Sequence, residues 1–395
     1  MKILAIETSF DEAGLAIIEY EQKGTTTSIE VLSDTLFSQA EAHEEYGGVY
    51  PTLAKQIHAK NLVPLLTQTL EEANLHITTE TTEVTSDSLL KIQTVLEREP
   101  EMFAELSGLL VHIRKPDIDA IAITHGPGLE PALWVGISFA KALSIAWDIP
   151  LTPVNHMEGH VAAALAISNT NKEFVIQEPQ LPALALLISG AHTELILIKK
   201  WLDYEKIGST RDDAIGEAYD KAARLLGFPY PGGPKISKLA QEARGENLLQ
   251  PYSLPRPMLT TNDFDFSFSG LKTAVRNIVQ SIEAPTDEQK KQIAREFDDA
   301  ATEVLVAKTK SAIEEHAVQT LIVSGGVAAS KYIRENLENL TKEYADMRFY
   351  VPTLDLATDN GRMIAFAAAI HDSPATPAEE ILANGNLSIE SESPR

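Results

Sequence analysis

The segment Asn155–His160 reads NHMEGH, with two histidines four positions apart. On a helix, positions i and i+4 share one face, so His156 and His160 could both reach one metal ion. Zinc proteases use H-E-x-x-H, in which the glutamate directly after the first histidine is the general base. Here Glu158 comes two positions after His156, and two helical steps rotate its side chain by about 200°. The spacing disfavours a protease base and leaves open whether the pair binds a metal or is only structural.

A third ligand would have to be His, Asp or Glu, because the chain contains no cysteine. The best local candidate is Asp359, in the segment ATDNGRMIA at 357–365. It follows the strand candidate RFYVPTL, Arg348–Leu354, and precedes an apolar helix. Two histidines and one carboxylate form a facial set with open coordination positions, which suits iron(II) or zinc(II) acting on substrate oxygens.

Two similar strand pairs are expected to build the scaffold around these residues. Both are β-rich apolar runs joined by a short polar turn containing glycine. The repeat of topology predicts two related α/β lobes facing each other across a cleft, as in actin, the 70-kDa heat-shock chaperones and sugar kinases. Two ordinary hairpins would give the same pattern. The runs are Lys2–Ser9 with Leu15–Tyr20, and Ala183–Ser189 with Glu194–Lys200.

The sequence predicts an N-terminal lobe at 1–165 and a C-terminal lobe at 180–370. Residues 78–115 begin with a Thr-, Ser- and Glu-rich stretch and are interpreted as an acidic insertion in the first lobe. Residues 371–395 are polar, with Pro and Ser, and are interpreted as a flexible acidic tail.

The composition is that of a water-soluble globular protein. The 395 residues include 33 Lys and Arg against 57 Asp and Glu, a net charge of −24. No apolar run approaches the roughly 20 residues of a membrane span, and the start is too briefly apolar for a signal peptide. We therefore expect a cytoplasmic protein without a membrane partner. Because affinity for nucleic acid depends largely on Lys and Arg, unaided RNA binding is disfavoured.

Nine motifs occur in the order seen in one family. They are ETSFDEAG, HEEYGGVYPTLAKQIH, GPGLEPALWVG, NHMEGH, LISGAHTEL, GEAYDKAARLLGFPYPGGP, FDFSFSGLKTA, SGGVAAS and ATDNGRMIA. The chain resembles the universal tRNA threonylcarbamoyladenosine transferases, known in bacteria as TsaD and formerly labelled O-sialoglycoprotein endopeptidase, or Gcp. The resemblance extends from about Lys2 to about Ala369, apart from the insertion.

This resemblance implies a two-lobed actin-like fold, of the ASKHA type with duplicated RNase H-like lobes. It implies transfer of threonylcarbamoyl from threonylcarbamoyl-AMP to N6 of the adenosine 3′ of the anticodon in ANN-decoding tRNAs, with release of AMP. His156, His160 and Asp359 match the metal ligands of the family. The positions that match its nucleotide-substrate residues are Leu187, Ile188, Ser189, Gly190, Ala191, Asp220, Gly233 and Ser330.

Each of these roles has a physical rationale and a structural alternative. Backbone N–H groups of the turn at 189–193 would hold the phosphate, and Asp220 would bind a ribose diol. Gly233 would let the backbone approach the nucleotide closely. Alternatively, Asp220 is an ordinary i,i+4 partner of Arg224, Gly233 belongs to a plain turn, and FDFSFSG supplies core aromatics on a strand.

Five positions depart from the family pattern. The family usually has Cys at the position of Phe10, Thr at Ala13, Arg at Gln56, Gly at Ala191 and Asn at Ser330. The changes at 56 and 330 remove a cation and an amide, so they bear on substrate affinity more than on metal binding. Ala191 lies in the glycine-containing turn at 189–193.

The resemblance also implies a cofactor and partners. We expect one divalent metal ion per chain, iron(II) first and zinc(II) as the alternative. A smaller TsaB-like paralogue and a TsaE-like P-loop ATPase are the expected partners, with tRNA and threonylcarbamoyl-AMP as substrates. The alternative functions are an actin-like ATP-binding or ATPase module, a catalytically weak scaffold paralogue and, least favoured, a metallopeptidase.

Overall fold

The computed structural model describes residues 1–79, 84–282, 284–371 and 375–392. The strands in chain order are β1 Lys2–Glu7, β2 Glu12–Lys23, β3 Thr26–Ser38, β4 Ala120–Gly126, β5 Leu151–Asn155, β6 Ile167–Ser168, β7 Glu173–Gln177, β8 Ala183–Ile188, β9 Thr193–Lys200, β10 Asp203–Ser209, β11 Thr320–Ser324 and β12 Arg348–Tyr350. The helices are α1 Ala40–His43, α2 Pro51–Glu72, α3 Ser86–Val95, α4 Pro100–Leu110, α5 Glu130–Trp147, α6 His156–Leu165, α7 Ile215–Leu225, α8 Gly233–Gly245, α9 Ser269–Ile282, α10 Asp287–His316, α11 Lys331–Thr341, α12 Leu354–Ala357 and α13 Gly361–Ile370.

Each of two compact units is built on one sheet. The first sheet has the order β5-β4-β1-β2-β3-β7-β6, and the second has the order β10-β9-β8-β11-β12. In the first sheet β1, β2 and β3 form an antiparallel meander, and β4 and then β5 extend it in parallel beside β1. In the second sheet β8, β9 and β10 form the meander, and β11 and then β12 extend it in parallel beside β8. The same order therefore occurs twice, which is the duplicated RNase H-like topology of the actin-like fold, and the fold prediction is confirmed.

The two units differ from the predicted lobes at their boundaries. Unit 1 comprises Met1–Glu41, Val49–Glu178 and Asp359–Glu392, whereas unit 2 is built mainly from Pro179–Thr358. The prediction assigned 359–370 to the C-terminal lobe. The structure instead buries all ten residues of α13 against β1, β2, β3 and α6 of unit 1. Nine of its ten residues are uncharged, and the exception, Arg362, forms an ion pair with Asp34 of β3 in the same unit.

The described part of the insertion is folded into the core of unit 1. Helices α3 and α4 place apolar side chains in the same cluster as α2 and α5, among them Ile92, Met102 and Leu106. Thr78 forms an isolated antiparallel bridge with Ile113, which closes the two ends of the segment together. Residues 80–83, the centre of the Thr- and Glu-rich stretch, lie outside the described residues.

The C-terminal segment also differs from the predicted tail. Ile381 and Ile389 are buried, and Thr376 N donates to Leu151 O of β5. Residues 375–392 therefore pack on unit 1, whereas 372–374 and 393–395 lie outside the described residues.

The FDFSFSG segment supplies core aromatics, as one of the two alternatives predicted, although it does not form a strand. Phe266 and Phe268 are fully buried with stacked rings, 6.1 Å between centroids, just before α9. The hydroxyls of Ser267, between the two rings, and of Ser269, after them, both donate to Asp212 Oδ2. Among the described residues, no helix is both long and apolar enough to cross a membrane.

Candidate functional site

Helix α6 begins directly at the histidine pair. The side chain of Asn155 accepts a hydrogen bond from Met157 N at 2.9 Å, which caps the helix and fixes its first turn. His156 and His160 then lie one turn apart, with ring centroids 4.8 Å from each other and both rings buried. The segment is helical, which is the condition under which the i,i+4 spacing brings the two histidines to one face.

Asp359 is placed beside these rings by the start of α13. Asn360 accepts from Met363 N at 3.0 Å and so caps α13 in the same way. The helix start packs directly on β2, where a Cβ built on Gly14 would lie 2.6 Å from Gly361 N. A Cβ on Gly361 would lie 2.6 Å from Ala16 N, so both glycines are required by the close approach of two backbones.

The three predicted ligands meet in unit 1. Asp359 Oδ1 lies 3.5 Å from His156 Nε2 and 3.2 Å from His160 Nε2. One potential ligand atom from each residue lies within 4.8 Å of the other two. Both ring nitrogens of His160 are buried and form no hydrogen bond with the described residues, despite the short distance to Asp359. Buried polar atoms without partners are costly, so the donor set fits a divalent metal ion and could hold one.

His156 is surrounded by carboxylates. Burial lowers the pKa of its imidazole, but Asp359 and Glu7 raise it, and the net result is a pKa of about 9. Nδ1 of the same ring lies 3.0 Å from Ser9 Oγ and 3.4 Å from Glu7 Oε2. The sequence reasoning missed Glu7 and Ser9. The available signal was their position at the end of a buried strand that leads into a hairpin turn.

Glu158 is engaged away from the ligand set. Its Oε1 lies 2.5 Å from His371 Nε2, at the end of α13, and only 4% of its side chain is exposed. The predicted rotation of Glu158 away from the first histidine agrees with this contact. A glutamate held in this way is unsuited to act as a peptidase base.

Unit 2 contains a cavity of about 500 Å³ at the other predicted site. Four of the eight predicted substrate residues line it, namely Gly190, Asp220, Gly233 and Ser330. Leu187 and Ile188 are instead fully buried in β8, and they support the turn from below. The cavity is of the size that proteins use for small ligands.

The glycine-containing turn after β8 is closed on itself. Ser189 Oγ accepts from Ala191 N at 3.2 Å and from His192 N at 3.0 Å. Ser189 N donates to His192 O at 2.8 Å. Three of the N–H groups expected to hold a phosphate are therefore used inside the turn. Two of them donate to the hydroxyl of Ser189, which lies two and three residues before Ala191 and His192.

Asp220 organises the start of α8. Its Oδ1 accepts from Gly232 N at 2.7 Å and from Gly233 N at 3.1 Å, while Arg224 Nη2 donates to Gly47 O. The contact that requires a glycine is at Gly232, where a Cβ would lie 2.3 Å from Ala223 Cβ. At Gly233 the nearest neighbour would be Tyr219 Cβ at 3.9 Å, an ordinary contact. Within the protein, close packing therefore requires the glycine at 232, and the predicted approach of a nucleotide to Gly233 stays a prediction.

A polar network forms one wall of the cavity. Arg244 donates to Asp298 Oδ2 at 2.7 Å and to Asp299 Oδ1 at 2.5 Å, and its guanidinium lies 3.4 Å from the ring centroid of Tyr332. Tyr219 donates to Asp298 Oδ1 at 2.6 Å. Of this wall only Tyr219 lies in one of the motifs, and the sequence did not indicate the network because its members come from helices that are far apart in the chain.

The positions that depart from the family pattern have separate local environments. The Phe10 ring packs edge-on against His156, 5.8 Å between centroids. Gln56 is exposed on α2, and Ala13 is fully buried in β2. Ala191 is not among the residues with a positive φ, so its β-carbon causes little strain. Ser330 accepts from Ile333 N and caps α11.

A family model described as TsaD, tRNA N6-adenosine threonylcarbamoyltransferase, matches residues 30–82 and 108–366. The chain belongs to the TsaD family. The resemblance found from the order of the motifs is confirmed, and the chain is a member of a transferase family. The gap in the match, 83–107, covers α3 and most of α4.

Relatives with the same description cover nearly the whole chain. A tRNA N6-adenosine threonylcarbamoyltransferase of Persephonella marina is 40% identical over 370 residues, 93% of this chain and 89% of the relative. The protein of that name from Chromobacterium violaceum is 39% identical over 382 residues, 96% and 95% of the two chains. A solved structure of the 2-hydroxyisocaproyl-CoA dehydratase activator from Clostridium difficile with bound ADPNP superposes with a TM-score of 0.43 at 12% identity, covering 94% of this chain and 93% of its own.

Proposed function

We propose that this protein transfers the threonylcarbamoyl group from threonylcarbamoyl-AMP to N6 of the adenosine 3′ of the anticodon in ANN-decoding tRNAs, and that AMP is released. The bond that breaks joins the carbamoyl carbon to the phosphate oxygen, and the bond that forms joins that carbon to N6, which loses a proton. Membership of the TsaD family carries the proposal, with relatives about 40% identical along nearly the whole chain.

A divalent metal ion would be held by His156, His160 and Asp359, with iron(II) expected first and zinc(II) as the alternative. When bound, it would supply positive charge to the phosphate and carboxylate oxygens of the adenylate. The approach of His160 Nε2 to within 3.2 Å of Asp359 Oδ1, at a fully buried ring, supports this assignment. The three side chains come from the starts of two capped helices, so they are held rigidly before any metal binds.

The cavity of unit 2 would bind the nucleotide part of the donor. Gly190 and Gly233 leave room for it, Asp220 orients the start of α8, and Lys238 is a cation on the lining. The attacking N6 amine is a weak nucleophile, so we expect positioning of the two substrates to supply much of the rate.

Partners are expected because the charge is unfavourable for tRNA. Unit 1 contains 11 Lys and Arg against 30 Asp and Glu, whereas unit 2 contains 22 against 27, which together give the 33 and 57 of the whole chain. We propose that a TsaB-like paralogue and a TsaE-like ATPase supply the positive charge for tRNA binding that this acidic chain lacks. The isolated chain should bind tRNA weakly, and tight, salt-sensitive binding would contradict this expectation.

The test compares the metal content and the activity of purified protein with those of a His156→Ala, His160→Ala double variant. We expect about one iron or zinc per chain, lost in the variant, and threonylcarbamoyl transfer to tRNA only with the wild type and its partners. His112→Ala is the matched control, because His112 is exposed on unit 1. ATP hydrolysis without transfer, in a sample that holds no metal, would favour the actin-like ATPase alternative instead.

A further inference from the structure

We infer that Glu7, assisted by Ser9, is a positioning residue for the metal ligand His156. Together they orient the imidazole with Nδ1 towards Glu7 and Ser9, which turns Nε2 towards the proposed metal. The inference rests on the proposed metal site and adds to it the residues that set the orientation and the tautomer of one ligand.

Glu7 is itself held firmly from two sides. It is the last residue of β1 and is fully buried. Its Oε1 accepts from Ser9 N at 2.6 Å, and its Oε2 accepts from the hydroxyl of Thr124 on β4 at 2.5 Å. A carboxylate fixed by a backbone N–H group and by a side chain of the neighbouring strand has little freedom to turn away from the imidazole. The burial also strengthens each of its electrostatic contacts.

The geometry then selects one arrangement of the imidazole. Nδ1 of His156 lies 3.4 Å from Glu7 Oε2 and 3.0 Å from Ser9 Oγ. An ionised carboxylate is only an acceptor, so it favours an N–H group at Nδ1. The opposite ring nitrogen, Nε2, faces Asp359 Oδ1 at 3.5 Å, on the side of the proposed metal. Carboxylate groups behind metal-bound histidines act in this way in many metal sites.

The second histidine lacks such support. Nδ1 of His160 forms no hydrogen bond with the described residues, whereas its Nε2 lies 3.2 Å from Asp359 Oδ1 and its ring packs edge-on to His156. The two imidazoles therefore differ in how they are fixed. Loss of the support at His156 should impair the metal site even though all three ligands remain.

The experiment measures the dissociation constant of the metal-free protein for Zn²⁺, by competition with a chelator, in Glu7→Gln and wild type. The substitution keeps the volume of the side chain but replaces the anion with a neutral amide. We expect the affinity to fall by about 10- to 100-fold. The ¹⁵N shifts of His156 in the zinc-loaded wild type should show the N–H group at Nδ1, and this signature should weaken in Glu7→Gln.

A matched control is Glu296→Gln. Glu296 is also a buried carboxylate that accepts from a backbone N–H group, Leu254 N at 2.9 Å, but it lies in unit 2. We expect this variant to lose stability without a change in zinc affinity. If Glu7→Gln fails to fold, Ser9→Ala retains the carboxylate and removes one Nδ1 contact, and we expect it to weaken zinc binding by a smaller factor.

The outcomes separate this inference from the proposed function. Zinc binding that is unchanged in His160→Ala would overturn the metal site itself. Zinc binding that is lost in His160→Ala but unchanged in both Glu7→Gln and Ser9→Ala would overturn only the positioning role. An equal loss in Glu7→Gln and Glu296→Gln would show a general effect of stability and would also overturn it.

Discussion

Glu158 Oε1 lies 2.5 Å from His371 Nε2, so one hydrogen bond joins the helix of the histidine pair to the residue after α13. This contact and the two proposed ligands His156 and His160 occupy different sides of the same helix. The glutamate that superficially suggests a peptidase motif is therefore part of the support of α6.

The first prediction concerns this contact. His371→Ala should lower the free energy of unfolding by about 1–3 kcal/mol, because it leaves a buried carboxylate without its partner. Urea denaturation followed by circular dichroism measures the change. His112→Ala, at an exposed position, should change the stability little. Equal stability of His371→Ala and wild type would show that the contact contributes nothing.

The second prediction uses the packing of α13 on β2. Gly361→Ala introduces a Cβ 2.6 Å from Ala16 N, and backbone atoms must move to accept it. We expect a loss of at least about 2 kcal/mol of stability, together with weaker metal binding, since Asp359 lies two residues away. The control is Gly108→Ala on α4, where a Cβ meets nothing within 4 Å. That change should stabilise the helix by up to about 1 kcal/mol. A Gly361→Ala protein as stable as wild type would contradict the close approach.

The third prediction separates two roles of Asp220. Asp220→Asn keeps an oxygen that can accept from Gly232 N and Gly233 N, whereas Asp220→Ala removes it. We expect Asp220→Ala to lose about 1–2 kcal/mol and Asp220→Asn to lose much less. Calorimetric titration with AMP then reports on the cavity. Weaker AMP binding by a stable Asp220→Asn would show that the negative charge of Asp220 contributes to ligand binding. Unchanged AMP binding would leave Asp220 with only its structural role.

The fourth prediction is a pH dependence at the wall of the cavity. Burial raises the pKa of the Tyr332 phenol to about 12, and Asp299 contributes in the same direction. Because the folded chain favours the neutral phenol, the stability from this group is complete below pH 10, the usual pKa of a tyrosine. It declines as the pH rises from there towards the folded-state pKa, since the phenol of the unfolded chain ionises first.

Ultraviolet titration of wild type and Tyr332→Phe measures this effect. The difference between the two curves should contain one phenol that ionises near pH 12. Tyr46→Phe, at an exposed tyrosine, is the control and should leave that component in place. If the difference between the wild-type and Tyr332→Phe titration curves showed a phenol that ionises at the usual tyrosine pKa, the burial of the Tyr332 ring would be contradicted.

Much of the scaffold could be predicted from local patterns. The runs at Lys2–Ser9 and Ala183–Ser189 combine β-branched and apolar residues with a following turn, and both form the first strand of a meander. The i,i+4 spacing of His156 and His160 likewise specifies that both side chains share one face if the segment is helical. Asp359 could be proposed as their neighbour only through its position before an apolar helix and through the resemblance to a family.

What could not be predicted depends on contacts between distant segments. The assignment of α13 to unit 1 requires its burial against β1–β3, which no property of its own sequence specifies. The closure of the turn after β8 depends on the rotamer of Ser189, and the packing requirement for glycine at 232 depends on Ala223. The insertion has the composition of a solvated segment, yet a few apolar positions such as Ile92 and Leu106 are sufficient to fold it onto the core.

The discontinuity of unit 1 has a consequence for the order of events during synthesis. A ribosome makes His156 and His160 early, but it makes Asp359 and α13 only after the whole of Pro179–Thr358. Until then the nascent unit 1 lacks the helix that fills its centre, and its two histidines have no Asp359 opposite them. The proposed metal site can therefore be completed only after Pro179–Thr358 has been synthesised, so we expect loading with metal to follow the synthesis of that segment.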